Sequence, residues 1–336
     1  MSHSFVIQEE TDVTIDIKTI YSNSDVYFFP YARYAFLECL KVLQVNSVYL
    51  PAFICRDMLA PINSLNLKYY FYEVDENLNP ILEDVKSDAI LLVNYFGFSN
   101  DMRPFVEYKK KYNAIIIEDN AHGFLSKDKN GLLLGTRGDI GLLSIRKTVF
   151  LPNGGALLVN SDSLKKHEFK SSMVKSSFED QHYLKKLNLK RKLFSKYLGI
   201  FVLLTRRLLR YIKTGDTIPL PDPLSQKEMP LNSYLTPILK NASLNIDIES
   251  EINRRREIYT NIEQYAKKFN IKPIYNLTEY SCPFEFAFID DGNYKEFEVH
   301  LLKKGFFILP WPDLPNEIVE DAPKFYKNVK VVPFLW

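Results

Sequence analysis

Two apolar runs, AIIIEDNAH (114–122) and GLLSIRKT (141–148), each stop abruptly in polar residues, and no other feature of the chain restricts its fold as much. A short, nearly continuous apolar run rich in branched residues is the pattern of a strand covered on both faces. SVYLPAF (47–53), KYYFYEV (68–74) and AILLVNYF (89–96) read as strands too, and residues 101–112 read as a helix between two of them. Gly141 to Ile145 and Ala156 to Val159 complete the strands. Strands alternating with helices predict an α/β fold with a mostly parallel central sheet sandwiched by helices. Ligands of such sheets sit beyond the carboxyl ends of the strands. Asp119, His122, Ser144 and Lys147 fall at those ends and are the candidate site.

The remaining chain divides by composition. Arg33 to Leu43 reads as a helix with Phe36, Leu40 and Leu43 on one face. From Ser163 to Lys213 the pattern is helical and basic, with no acidic residue between Gln181 and Gly215. TGDTIPLPDPLSQKEMP (214–230) reads as a linker. Ile246 to Phe269 is a charged helix, followed by strand-like IKPIY and FEFAFI, a helix at 294–304 and strand-like FFIL. The expected organisation is a large α/β domain over 1–213 with a basic amphipathic insertion at about 163–213, a linker over 214–245 and a small C-terminal α+β domain over 246–336. The closing KFYKNVKVVPFLW reads only as a packing strand. Within the basic segment Lys192, Lys196, Arg206, Arg207, Arg210 and Lys213 share one direction, opposite Phe194, Phe201, Leu204, Leu208 and Ile212. Three uses compete for that segment: packing on the body, a wall for an anionic substrate, and peripheral contact with an anionic membrane surface.

Composition excludes some classes. A net charge of +2 gives no bulk argument for nucleic acid. Cys39, Cys55 and Cys282 form no metal-ligand spacing, so no metal is expected. The polar start MSHSFVIQEETDV does not read as a secretory leader, and no run approaches the ~20 apolar residues of a membrane span. These features lead to the expectation of a cytoplasmic protein.

An acid at one strand end and a serine–lysine pair at the next match the needs of pyridoxal 5'-phosphate. That cofactor requires an amine for its aldehyde, a carboxylate to keep its ring nitrogen protonated, and hydroxyls or N–H groups for its phosphate. Lys147 is the candidate amine and Asp119 the ring-nitrogen partner. Ser144 reads as a phosphate ligand, and His122 as a residue stacked on the ring or touching its hydroxyl. The Gly154–Gly155 pair permits close backbone approach. Taken singly, each has a blander reading: a loop lysine, a capping acid, a structural histidine.

Together, EDNAH and GDIGLLSIRKT…NGGALLVN resemble the DegT/StrS-type (DegT/DnrJ/StrS) sugar aminotransferases, enzymes of fold type I that depend on pyridoxal phosphate. VYLPAF, LLVNYFGFSNDM, YARYAFLECL, MPLNSYL and INRRREIY extend the likeness over roughly residues 28 to 310. The resemblance implies transfer of an amino group from glutamate to a keto-sugar, nucleotide-linked, for surface polysaccharide or a related glycan. It places Ala32 and Arg33 at the phosphate helix and implies a homodimer in which Asn232 reaches the partner's cofactor. The chain departs from the family pattern in two places. Ser144 and Lys147 are three apart where the family has five, a spacing shared with decarboxylases and other fold-type-I branches. Ala32–Arg33 replaces Gly-Thr/Ser. An amino-acid decarboxylase or lyase, or a non-catalytic binding protein of the same fold, is therefore the alternative reading.

Overall fold

A computed structural model describes residues 11–193, 196–217, 222, 224–231 and 233–334. The strands in chain order are β1 (Thr14–Asp16), β2 (Asp25–Phe29), β3 (Ser47–Pro51), β4 (Lys68–Val74), β5 (Pro80–Ile81), β6 (Ala89–Val93), β7 (Ile115–Asn120), β8 (Ile140–Leu143), β9 (Gly155–Val159), β10 (Ser243–Asn245), β11 (Glu285–Ile289), β12 (Leu309–Pro310) and β13 (Val329–Pro333). The helices are α1 (Ile17–Ile20), α2 (Ala32–Val42), α3 (Ala60–Ser64), α4 (Arg103–Tyr112), α5 (Ile145–Thr148), α6 (Phe178–Leu193), α7 (Lys196–Thr214), α8 (Ile248–Lys267), α9 (Tyr294–Lys304), α10 (Asn316–Val319) and α11 (Lys324–Asn328).

Eight strands form the central sheet in the order β2-β9-β8-β7-β6-β3-β4-β5. β8, β7, β6, β3 and β4 run parallel, while β9 is reversed between β8 and β2, and β5 is an antiparallel edge. β6, β8 and β9 are buried at every position, as continuous apolar runs require when helices cover both faces. The register Val93↔Asp119↔Leu142 brings the carboxyl ends of β6, β7 and β8 level, so the residues that follow them converge. A three-stranded sheet, β11-β13-β12, lies near the C-terminus, and β1 pairs with β10.

Several elements differ from the sequence expectation. Val329–Pro333, from the tail read only as a packing strand, is the centre of the C-terminal sheet. FFIL contributes only its last residue to β12, and IKPIY only the bridge Pro273↔Phe288. The basic segment becomes helical at Phe178 rather than Ser163. Ser243–Asn245, within the segment read as linker, pairs with β1.

The expectation that the apolar face of α7 packs on the body is corrected. Phe201 is 67% and Ile212 70% exposed, and Leu204, Leu208 and Leu209 are exposed with them. Arg207 docks instead: its guanidinium pairs with Glu298 at 3.1 Å and donates to the Ile308 carbonyl at 3.0 Å. Among the described residues no helix is long and apolar enough to cross a membrane, and no cluster of side chains suits a metal ion.

Candidate active site

The carboxyl ends of β2, β3, β6, β7 and β8 surround one cavity, whose walls include Tyr31, Ala32, Arg33, Cys55, Asp57, Asn94, Asp119, His122, Ser144, Arg146, Lys147 and Trp311. Six of the seven residues singled out in the sequence meet here: Lys147, Asp119, His122, Ser144, Ala32 and Arg33. Asn232 lies outside the described residues.

Asp119 ends the buried run of β7. Its Oδ1 accepts the Ala121 N–H at 3.0 Å, an Asx turn that fixes the carboxylate. Burial raises its pKa to about 6, opposed by the charge of Lys147 and by the Ala121 hydrogen bond. A buried carboxylate with so few partners is costly unless a cation or an N–H meets it from the cavity.

Lys147 lies in the single turn of α5, which starts directly after β8. Its Nζ is 2.9 Å from His122 Nε2 and 5.9 Å from the centre of the Phe284 ring. The other nitrogen of His122, Nδ1, accepts the Phe96 N–H at 3.2 Å. The imidazole is stacked on Phe284 at 4.8 Å and on Phe96 at 5.9 Å, and Trp311 meets it at 5.5 Å with the rings steeply inclined. What His122 presents to the lysine is therefore its Nε2 edge. Burial, reinforced by Lys147, holds its pKa well below the usual value, so the ring is neutral at neutral pH.

The opposite wall is cationic. α2 begins at Ala32, and the first N–H groups of a helix have no acceptor within it. Ser144 precedes α5 without its side chain accepting a capping hydrogen bond, and it lines the cavity. Gly155 explains why the helix start lies so close to the sheet: a Cβ there would come within 2.6 Å of the Ala32 nitrogen and 3.0 Å of the Leu143 carbonyl. The close approach that the glycine pair permits is thus of α2 to β9. Arg33 pairs with Asp57 at 2.9 Å. Arg146, which the sequence offered only as a charge flanking Lys147, lies over the Tyr31 ring at 5.2 Å. Tyr31, Asp57 and Trp311 were also missed; they come from loops whose positions only the tertiary fold sets.

Behind the site, Arg255 is fully buried. It donates to Glu251 at 2.7 Å, to the Thr148 carbonyl at 2.8 Å and to the Pro283 carbonyl at 3.2 Å. Burial would push Glu251 upward, but hydrogen bonds and charge from Arg254 and Arg255 hold its carboxyl below the usual range.

The profile of the DegT/DnrJ/EryC1/StrS aminotransferase family matches residues 36–194. A GDP-perosamine synthase of Escherichia coli O157:H7 is 40% identical over 81 residues, which are 24% of this chain and 22% of that enzyme. The matched segment thus spans only about a fifth of that curated relative. Among solved structures, a DegT DnrJ EryC1 StrS aminotransferase from Brucella abortus superposes with a TM-score of 0.59 at 14% identity, over 94% of this chain and 82% of that one. An E. coli GDP-4-keto-6-deoxy-D-mannose-3-dehydratase with bound hydrated PLP gives 0.56 at 17%, over 94% and 85%. These structures share the fold-type-I architecture of a mostly parallel sheet between helices with a small C-terminal sheet. Residues 36–194, which carry most of the central sheet together with Asp119, His122, Ser144 and Lys147, are thus the part of the chain that is similar to the DegT/DnrJ/EryC1/StrS aminotransferase family.

Proposed function

We propose that the protein is a pyridoxal phosphate-dependent aminotransferase that moves an amino group from glutamate to a nucleotide-linked keto-sugar. The observation that carries this reading is the placement of the Lys147 amine and the buried Asp119 carboxylate on one cavity at the carboxyl edge of the sheet. The residues fit the cofactor: an under-partnered buried carboxylate suits a protonated ring nitrogen, and a helix start beside a serine hydroxyl suits a phosphate. When bound, pyridoxal phosphate supplies an aldehyde for amines and a ring that withdraws electrons from the adjoining carbon.

The chain's own residues have separable tasks in this reading. Lys147 would hold the cofactor's aldehyde through Nζ and would move a proton at that atom. His122, through Nε2, orients that nitrogen. Asp119 keeps the proton on the ring nitrogen. Ser144, the N–H groups at Ala32 and Arg33, and the Arg33 side chain hold the phosphate. The name of the matched relative, a GDP-perosamine synthase, supports a nucleotide-linked sugar as acceptor. The active unit is proposed to be a homodimer, with Asn232 completing the partner's site.

The decisive experiment adds pyridoxal phosphate to the purified protein. Visible absorbance should develop, and borohydride reduction should fix the cofactor's mass on Lys147. Lys147→Ala should abolish both. Glutamate should then convert the cofactor to its amine form. Absence of cofactor binding by the wild type would overturn the proposal, and carbon dioxide release from an amino acid would replace it with a decarboxylase. A cysteine-based desulfurase is disfavoured, because burial pushes the Cys55 thiol up and the Cys282 thiol to about 11.

A further inference from the structure

We propose that Arg146, which lies between Ser144 and Lys147, is the counter-cation of the cofactor's phosphate. The inference rests on the cofactor reading above, but its geometry stands apart from it. The Arg146 guanidinium lines the cavity, and its Nε is buried without a hydrogen-bond partner. Its guanidinium lies over the face of Tyr31, 5.2 Å from the ring centre. Arg33 approaches the same ring at 5.8 Å, so two guanidiniums share one aromatic platform. Asp57 lies 2.9 Å from Arg33, and Glu179 accepts the Tyr31 hydroxyl at 3.3 Å. Asp57 and Glu179 are thus turned to other partners, and the Arg146 Nε is left without an acceptor.

Burial penalises the charged form of Arg146, as does the like charge of Arg33, while Tyr31, Asp57 and Glu179 act in the opposite direction. A buried guanidinium donor without an acceptor is a standing cost that an incoming anion removes. The ligand that fits is a phosphate monoester dianion: a planar fork can grip two of its oxygens, while the Ser144 hydroxyl and the N–H groups at the start of α2 serve the third. Lys147 follows Arg146 directly, so a phosphate held at this wall leaves the rest of a small ligand within reach of the amine.

The test compares the full-length wild type with Arg146→Gln and Arg146→Lys, folding being checked by circular dichroism. In the first arm, millimolar inorganic phosphate is added against chloride of equal ionic strength. Phosphate should raise the melting temperature of the wild type, leave Arg146→Gln unmoved and give Arg146→Lys an intermediate shift. In the second arm, pyridoxal phosphate and phosphate-free pyridoxal are titrated. The preference of the wild type for the phosphorylated compound should fall at least about tenfold in Arg146→Gln, the scale of one charged hydrogen bond, with pyridoxal affinity unchanged. An Arg146→Gln protein that responds to phosphate like the wild type, or loses both compounds equally, overturns the proposal. So does weakened binding of GDP with an unchanged preference, which would assign the guanidinium to substrate. If the wild type binds neither pyridoxal compound but phosphate still separates it from Arg146→Gln, the cofactor reading fails and the phosphate site stands. If neither arm responds, both fail.

Discussion

His122 Nε2 stands 2.9 Å from Lys147 Nζ, while its Nδ1 accepts the Phe96 N–H at 3.2 Å. The backbone bond decides the tautomer: with Nδ1 accepting, a neutral imidazole carries its hydrogen on Nε2 and donates it toward the lysine nitrogen. The geometry thus sets the Nε2 edge of the ring against the lysine nitrogen. It also ties the lysine to the turn after β6 through a single ring. His122→Phe preserves the aromatic stack but deletes both bonds. We expect kcat to fall about 10²-fold, the scale of a small misplacement of a reacting group, with cofactor absorbance retained. Steady-state and single-turnover kinetics check this; a variant that loses cofactor affinity and keeps kcat contradicts the orienting role.

Asp119 predicts an unusual pH dependence. Burial raises its pKa from the ordinary 3.8 to about 6 in the folded protein. The folded state therefore binds more protons than the unfolded state between those values, and stability falls as pH rises through that window. Glu285, raised mainly by burial to about 7, acts in the same direction. At neutral pH the ionised Asp119 costs the cofactor-free protein about 3 kcal/mol. Asp119→Asn, which mimics the protonated form, should melt higher than wild type at pH 7, and the gap should close near pH 4. The same variant should lose nearly all turnover, because nothing then holds the ring proton. Thermal melts across pH with cofactor removed test the first half, and activity tests the second.

The contrast between Asp119 and Arg146 shows what the sequence could reveal. An apolar run ending in an acid marks a buried strand end, and IIIED exposes Asp119 without further help. Lys147 is legible because its serine and its glycines are close in sequence. Arg146 is not, since a cation beside a lysine reads as solvated until Tyr31 and Arg33 are brought against it from a distant loop. The parallel strands β3, β4, β6, β7 and β8 were visible for the same reason as Asp119, whereas β2 was missed: DVYFF is short and pairs only with β9, far along the chain. The use of α7 stayed open in the sequence because periodicity identifies an apolar face but not what covers it.

Gly155 offers a steric test of the phosphate wall. The Cβ of an alanine would lie 2.6 Å from the Ala32 nitrogen and 2.7 Å from the Tyr31 carbonyl carbon, and backbone atoms cannot rotate aside. α2 must retreat from β9. We expect Gly155→Ala to cost about 1–3 kcal/mol, as overpacking of a tight core does. Affinity for pyridoxal phosphate should drop more than affinity for pyridoxal, because it is the helix start that moves. Chemical denaturation and paired titrations measure the two effects; equal losses for both ligands would show that the helix start does not serve the phosphate.

Arg255 links the small C-terminal sheet to the catalytic turn. Its guanidinium holds the carbonyl of Thr148, next to Lys147, and that of Pro283, next to Phe284, against the buried Glu251 carboxylate. Arg255→Met leaves both carbonyls without this donor, although Arg254 still pairs with Glu251 at 2.6 Å. Removing one partner from a buried ion pair typically costs about 3–5 kcal/mol, and the surviving Arg254 pair places the expected loss at the lower end. A triple variant that also carries Arg254→Met and Glu251→Gln should recover part of the stability, since no buried charge is then left unpaired, but it should not recover turnover, because Thr148 and Lys147 remain untethered. Denaturation midpoints of the two variants and their kcat values separate the stabilising role from the positioning role: if turnover returns with stability, Arg255 serves only the fold.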